Sequence, residues 1–110
     1  MGAASKYLRE LGKPRLDATE LERFMSHVAA ESEKDERQGD LDHLLRVVEL
    51  TPAQVVSIAA SDPVRKSVGL QLSVKRYATS KQFQAAQQSA ENEPAWKNAL
   101  LFLGAALPPC

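Results

Sequence analysis

Cysteine, aromatic residues and net charge are all scarce in this sequence of 110 residues. The one cysteine, Cys110, has no partner for an internal disulfide, which is typical of proteins that work in a reducing compartment. Only six residues are aromatic, so the core must depend on Leu, Val and Ala. Fourteen basic residues balance fourteen acidic ones, which argues against nucleic-acid binding, since that class usually carries a basic excess.

Long apolar runs are also missing. No run approaches the roughly 20 residues that a membrane-spanning helix needs. The first 15 residues have no apolar core of a secretory signal. Gly2 alone is compatible with myristoylation, but Lys6 occupies the position where that signal needs Ser or Thr. The sequence therefore predicts no association with a membrane.

The balanced charge is unevenly distributed along the chain. Residues 1–50 hold 8 basic and 11 acidic residues, whereas residues 51–110 hold 6 basic and 3 acidic ones. Between Pro63 and Ala90 there are five basic residues and no acid. This stretch is the best candidate for a surface that attracts anions; the alternative is an ordinary solvated helix surface.

Apolar residues recur at helical spacing through most of the chain, which predicts an all-α fold: a compact bundle of five to six short helices. Residues 16–107 are expected to form this bundle as a single domain. Residues 1–15 are expected to be a loose arm, although their apolar spacing also permits a short helix. Residues 108–110 are expected to be a tail.

Capping signals divide the bundle into its helices. Asp17 or Thr19 begins the first, and Thr51 with Gln54 begins a later one as a capping box. The helix between them has two possible starts, at Asp40 or as early as Asp35, and it should end at Leu50 before Pro52. Further helices are expected to begin at Asp62–Pro63, Thr79–Gln82 and Asn92–Pro94.

The helix that begins at Thr79 is expected to run through Ala90 and to bury Phe83, Ala86 and Ala90. The helix before it then ends near Tyr77, beside Lys75 and Arg76. In the last helix, Trp96 is expected to be a core anchor.

Residues that carry chemistry do not form a recognisable catalytic or metal site. His27 and His43 lack the spacing of a zinc-binding helix and have no cysteine pair to join them. There is no nucleophile elbow and no phosphate-binding glycine loop. The carboxylates from Glu31 to Asp42 are best explained as a solvated helix end. We therefore expect no enzyme activity, no cofactor and no metal.

Leu50–Ala59 resembles the opening of a TAL-effector DNA-binding repeat, and Leu16 lies one 34-residue repeat earlier. The glycine pair of the base-reading loop is absent, with Asp62-Pro63 in its place. Two repeats would also be too few for a stable solenoid.

A second resemblance covers residues 40–97. The order of apolar and basic positions is similar to the N-terminal domain of transcription elongation factor IIS, which Mediator, elongin and the integrase-binding domain of the lens epithelium-derived growth factor share. The matching positions are Leu41, Leu45, Val48, Thr51, Val55, Ile58, Val64, Val68, the run Val74-Lys75-Arg76-Tyr77, and Trp96-Lys97. The segments at 60–63 and 77–96 are longer than the family pattern.

This second resemblance implies a monomeric protein-interaction module in the nucleus, with the cytoplasm as the alternative. It would bind short disordered motifs, acidic with an aromatic anchor, in proteins of transcription elongation. One wall of the site would be the loop after Tyr77, and the other would be a loop near Gln38 to Asp40. The candidate partner-binding residues are Lys75, Arg76, Tyr77, Thr79, Arg65, Lys66, Gln38 and Asp40.

Two other functions remain open from the sequence. The five basic residues between Pro63 and Ala90 would also suit a nucleic-acid-binding helical domain, whose affinity should fall steeply with salt. An unrelated helical interaction protein, such as a secretion chaperone or an inhibitor, would have the same composition.

Overall fold

A computed structural model of the chain describes residues 2–106, the last two through their backbone alone. This part of the chain is all-α, as predicted, and contains no strand. It holds seven helices rather than five or six: α1 Ala3–Leu11, α2 Ala18–Ala30, α3 Lys34–Val47, α4 Pro52–Ala60, α5 Asp62–Arg65, α6 Val68–Gln88 and α7 Glu93–Ala106. The tail expected at 108–110 lies outside the described residues.

The helices divide into two compact units rather than the single bundle predicted for residues 16–107. The boundary lies between Leu50 and Thr51. Helices α1, α2 and α3 pack on one another in unit 1, and α4, α5, α6 and α7 pack on one another in unit 2. The segment matched to the elongation-factor domain, residues 40–97, therefore crosses the boundary between the units.

Helix α1 occupies most of the segment that was predicted to be a loose arm. It packs on α2 and α3 and buries Ala4, Ser5 and Leu8. Gly12 ends the helix in the left-handed conformation, with φ of 58°, and its N–H donates to the carbonyl of Leu8. This segment forms a helix despite its weak apolar pattern, because packing on neighbouring helices stabilises it more than its intrinsic helix propensity does.

The rest of unit 1 follows the capping signals closely. Asp17 forms the capping box of α2 with Glu20, and the predicted stripe of Leu21, Phe24, Met25 and Val28 is buried. Helix α3 begins at Lys34, so Gly39 lies inside it, in agreement with the earlier of the two possible starts. It ends at Val47, three residues before the predicted end at Leu50.

In unit 2, the capping box of Thr51 and Gln54 begins α4 as predicted, and Val55, Ile58 and Ala59 are buried. Helix α5 is a short element, and the backbone becomes extended at Ser67, whose side chain caps α6. The buried Gln71 stabilises the junction between α5 and α6, since its amide nitrogen donates to the carbonyl of Arg65 at 3.0 Å.

Helix α6 continues unbroken through the point where two helices were predicted. Thr79 does not cap a new helix: it lies inside α6, and its hydroxyl donates to the carbonyl of Lys75 at 2.8 Å. The Thr-x-x-Gln pattern was misleading because a threonine hydroxyl also bonds back to a carbonyl within a helix. The predicted burial of Phe83, Ala86 and Ala90 was wrong, since all three are exposed.

Helix α7 begins at Glu93, close to the predicted start, and packs on α4 and α6. Trp96, Ala99 and Leu103 are buried on its inner side. The expected role of Trp96 as a core anchor is thus confirmed.

Candidate protein-binding surface

The outward side of α6 carries large apolar side chains that no other part of unit 2 covers. Val68, Leu72 and Phe83 are 53%, 38% and 65% exposed. Their spacing of four and eleven residues places them on one side of the helix, and we call them the α6 stripe. The opposite side of α6 is the one that faces the core, with Leu70, Val74, Ala78 and Ala85.

Three of the predicted binding residues lie beside this stripe. Lys75, Arg76 and Thr79 follow Leu72 by three, four and seven residues, which places them on the same side of the helix. Arg76 and Thr79 are exposed, and Lys75 is half-buried. The sequence of α6 contains no acidic residue, so the helix combines exposed apolar groups with positive charge.

Tyr77 lies on another side of α6 from the stripe. Its ring meets Trp96 edge to face, with 6.1 Å between the ring centroids, and Lys81 Nζ lies 5.4 Å from the centroid of the tyrosine ring. The side chain is half-buried. Tyr77 therefore belongs to the contact between α6 and α7. This is a structural role, the alternative to the predicted partner-binding role.

The remaining predicted binding residues lie elsewhere. Arg65 and Lys66 are exposed at the end of α5 in unit 2. Gln38 and Asp40 belong to unit 1 and lie within α3, so the loop predicted as the second wall of the site is helical. Asp40 is only 1% exposed, so its side chain cannot contact a partner protein. Gln38 donates a hydrogen bond to Asp42 within the same helix.

The α6 stripe was not predicted from the sequence, where Phe83 was expected to be buried, since apolar residues at helical spacing usually face a core. The sequence does contain a signal that such residues are exposed. Helix α6 is 21 residues long, contains no acidic residue and carries apolar residues on both of its sides. One side of such a helix suffices to pack on its own unit, which leaves the other side for a partner.

A pair of buried carboxyl groups in unit 1 was also missed. Glu31 follows α2 directly and Asp40 lies in α3, and they are 8% and 1% exposed. Asp40 Oδ1 accepts hydrogen bonds from the Gly2 N–H at 3.3 Å and from the Ser5 hydroxyl, and Glu31 Oε1 accepts from the Ala4 N–H at 3.5 Å. The pair therefore joins the beginning of α1 to the other two helices of its unit.

Beside this pair, α1 and α3 enclose a surface cleft of about 440 Å³. Its lining comprises Arg9, Asp35, Glu36, Gly39, Asp40, His43 and Arg46. Acidic and nitrogen-bearing side chains are equally represented there, so the cleft does not favour a ligand of either charge.

Within residues 2–106 no cluster of three potential metal ligands is found, and no helix is long and apolar enough to cross a membrane. No family model matches the chain, and neither the curated proteins nor the solved structures give a significant match.

Proposed function

We propose that the protein is a non-enzymatic interaction module whose unit 2 binds a short acidic segment of another protein along the outward side of α6. The observation that carries the proposal is the α6 stripe, three exposed apolar side chains with two cations between them. An exposed apolar patch that is bordered by polar residues marks an interaction site on a soluble protein.

The α6 stripe supplies the affinity in this proposal. Burying apolar surface stabilises a complex by roughly 25 cal/mol for each Å² removed from water. Phe83 is the largest of the three side chains and the most exposed, so it should contribute most. The partner loses conformational entropy when it becomes ordered, which keeps the affinity of such a short segment modest.

Lys75 and Arg76 supply the charge preference. They lie between Leu72 and Phe83 on a helix without acidic residues, so a negatively charged segment is attracted and a positively charged one is repelled. This charge pattern favours a partner whose carboxylates flank its apolar anchors.

The resemblance to the N-terminal domain of elongation factor IIS suggests a cellular location and a class of partner for this proposal. It supports a nuclear protein that binds short linear motifs in the transcription elongation machinery. The proposed peptide contact on α6 does not depend on that location or class of partner, and it requires neither a cofactor nor a metal.

Selection from a library of random peptides, with the full chain as bait, tests the proposal. Selected peptides should be enriched in Asp and Glu around aromatic or leucine residues. In a direct titration, binding of a selected peptide should weaken at least tenfold, about 1.4 kcal/mol, when Phe83 is replaced by alanine or when Lys75 and Arg76 are both changed to glutamate.

Two matched variants serve as controls for that titration. Phe102→Ala removes an exposed phenylalanine from α7, and Lys6→Glu with Lys34→Glu reverses two exposed charges in unit 1. Both should retain peptide binding. Equal affinity in all variants would refute the α6 site, and a clear preference for nucleic acid with steep salt dependence would favour the nucleic-acid-binding function instead.

A further inference from the structure

The carboxyl groups of Glu31 and Asp40 approach each other closely inside unit 1. A Cβ atom added to Gly2 would overlap both Glu31 Oε1 and Asp40 Oδ2, so these two oxygens border the same small space. Glu31 Oε2 and Asp40 Oδ2 are both buried, and no group outside the carboxyl pair donates a hydrogen bond to either oxygen within the described residues.

Two buried carboxylates with unsatisfied oxygens are an unstable arrangement unless one of them carries a proton. A protonated carboxyl group has an O–H that can donate to its neighbour, and this satisfies one buried oxygen while it removes one of two like charges. The aspartic-protease dyad shares a proton for the same reason.

We propose that Glu31 and Asp40 form a proton-linked latch, in which one shared proton holds the beginning of α1 against α2 and α3 and loss of that proton releases it. The latch lies in unit 1 and is independent of peptide binding by α6. Among the described residues, its hydrogen-bond donors include the N–H groups of Gly2 and Ala4 and the hydroxyl of Ser5, which lie at or just before the start of α1.

The two carboxyl groups have different roles in the latch. Burial, together with the hydrogen bond to Asp40 and the charge of Asp40, raises the pKa of Glu31 to about 7. Burial also acts to raise the pKa of Asp40, but hydrogen bonds from Glu31, Ser5 and Gly2 outweigh it and hold that pKa below its ordinary value. Glu31 is thus the group that holds the proton.

Other charged and titratable groups also lie around the pair. Glu36 of α3 is negative and adds to the rise in the pKa of Glu31. Arg37 of α3 donates to the backbone carbonyl of Glu31, and a ring nitrogen of His43 lies 3.2 Å from Ser5 Oγ. The charged side chains of α1 next to the latch, Lys6 and Arg9, are exposed.

The direction of the pH effect follows from these pKa values. Glu31 has a raised pKa in the folded state, so its contribution to the stability of unit 1 is complete below its ordinary pKa of 4.5 and is lost as the pH rises to about 7. Asp40 has a lowered pKa, so its contribution is lost below its ordinary pKa of 3.8. The latch therefore opens on the alkaline side within the physiological range.

Amide hydrogen exchange of the full chain at about pH 5 and about pH 8, corrected for the intrinsic exchange rate, tests the latch. The opening constant of α1 should rise by up to about tenfold for each pH unit between the ordinary and the raised pKa of Glu31. Protection of α4 in unit 2 should stay unchanged and serves as the internal control.

Glu31→Gln should abolish this pH dependence, because its amide donates permanently to Asp40. Glu33→Gln, an exposed neighbour without a capping hydrogen bond, should behave like the parent chain. A carbon-13 NMR titration of the parent chain should show one carboxyl group that titrates near pH 7, and Asp40→Asn should remove that step. Equal α1 protection at both pH values, ordinary titration of both groups, or an undiminished pH effect in Glu31→Gln would overturn the proposal.

Discussion

Truncation of Trp96 to alanine should lower the free energy of unfolding of unit 2 by about 3–5 kcal/mol. The indole is 8% exposed, lies on the buried side of α7 and meets Tyr77 of α6 edge to face. Alanine would leave a cavity between α6 and α7, and it would also remove the aromatic contact. Urea denaturation followed by far-ultraviolet circular dichroism measures the loss without relying on tryptophan fluorescence.

Phe83→Ala is the matched control for this experiment, since it also removes a large aromatic side chain from unit 2. Phe83 is 65% exposed, so its truncation should change the unfolding free energy by less than about 0.5 kcal/mol. The same variant is expected to bind the selected peptide at least tenfold more weakly. An equally large loss in Phe83→Ala would contradict the surface role of Phe83, and an equally small loss in Trp96→Ala would contradict the core role of Trp96.

Gly2→Ala should destabilise unit 1 by about 1–3 kcal/mol, the usual cost of overpacking a filled site. The added methyl group would overlap Glu31 Oε1 and Asp40 Oδ2. Glu31 Oε1 accepts from the Ala4 N–H, and the other oxygen of Asp40, Oδ1, accepts from the Gly2 N–H. To make room, those hydrogen bonds must lengthen or break. Hydrogen exchange of α1 and α3 reports this loss for unit 1 alone.

The same substitution at Gly39 should have the opposite sign. Gly39 lies inside α3, and a methyl group there would meet nothing within 4 Å. Alanine should stabilise the helix by about 0.5–1 kcal/mol, because glycine loses more backbone entropy on folding. If both glycine variants gain stability, the space around Gly2 is not filled as described.

Local signals in the sequence were sufficient to predict several helix starts. The capping boxes at Asp17 and Thr51 depend on residues three positions apart, and both form as predicted. Thr79 shows where local signals fail, because the same pattern is compatible with the interior of a long helix. The packing of α6 on its own unit, rather than the residues next to Thr79, keeps the helix continuous.

The carboxyl pair could not be predicted in the same way. The Gly2 N–H donates to Asp40, 38 positions along the chain, and the Ala4 N–H donates to Glu31, 27 positions along. No periodicity connects such positions, and each carboxylate taken alone resembles a solvated charge. Only the packing of three helices brings them to one buried point.

The continuity of α6 also limits what a partner's sequence can look like. Leu72 and Phe83 lie on one continuous helix, about 16 Å apart along its axis at 1.5 Å per residue. A partner that lies along them as an extended chain would span that distance with about five residues, whereas a helical partner would need about eleven. The interval between the apolar anchors of a bound motif would therefore distinguish an extended partner from a helical one.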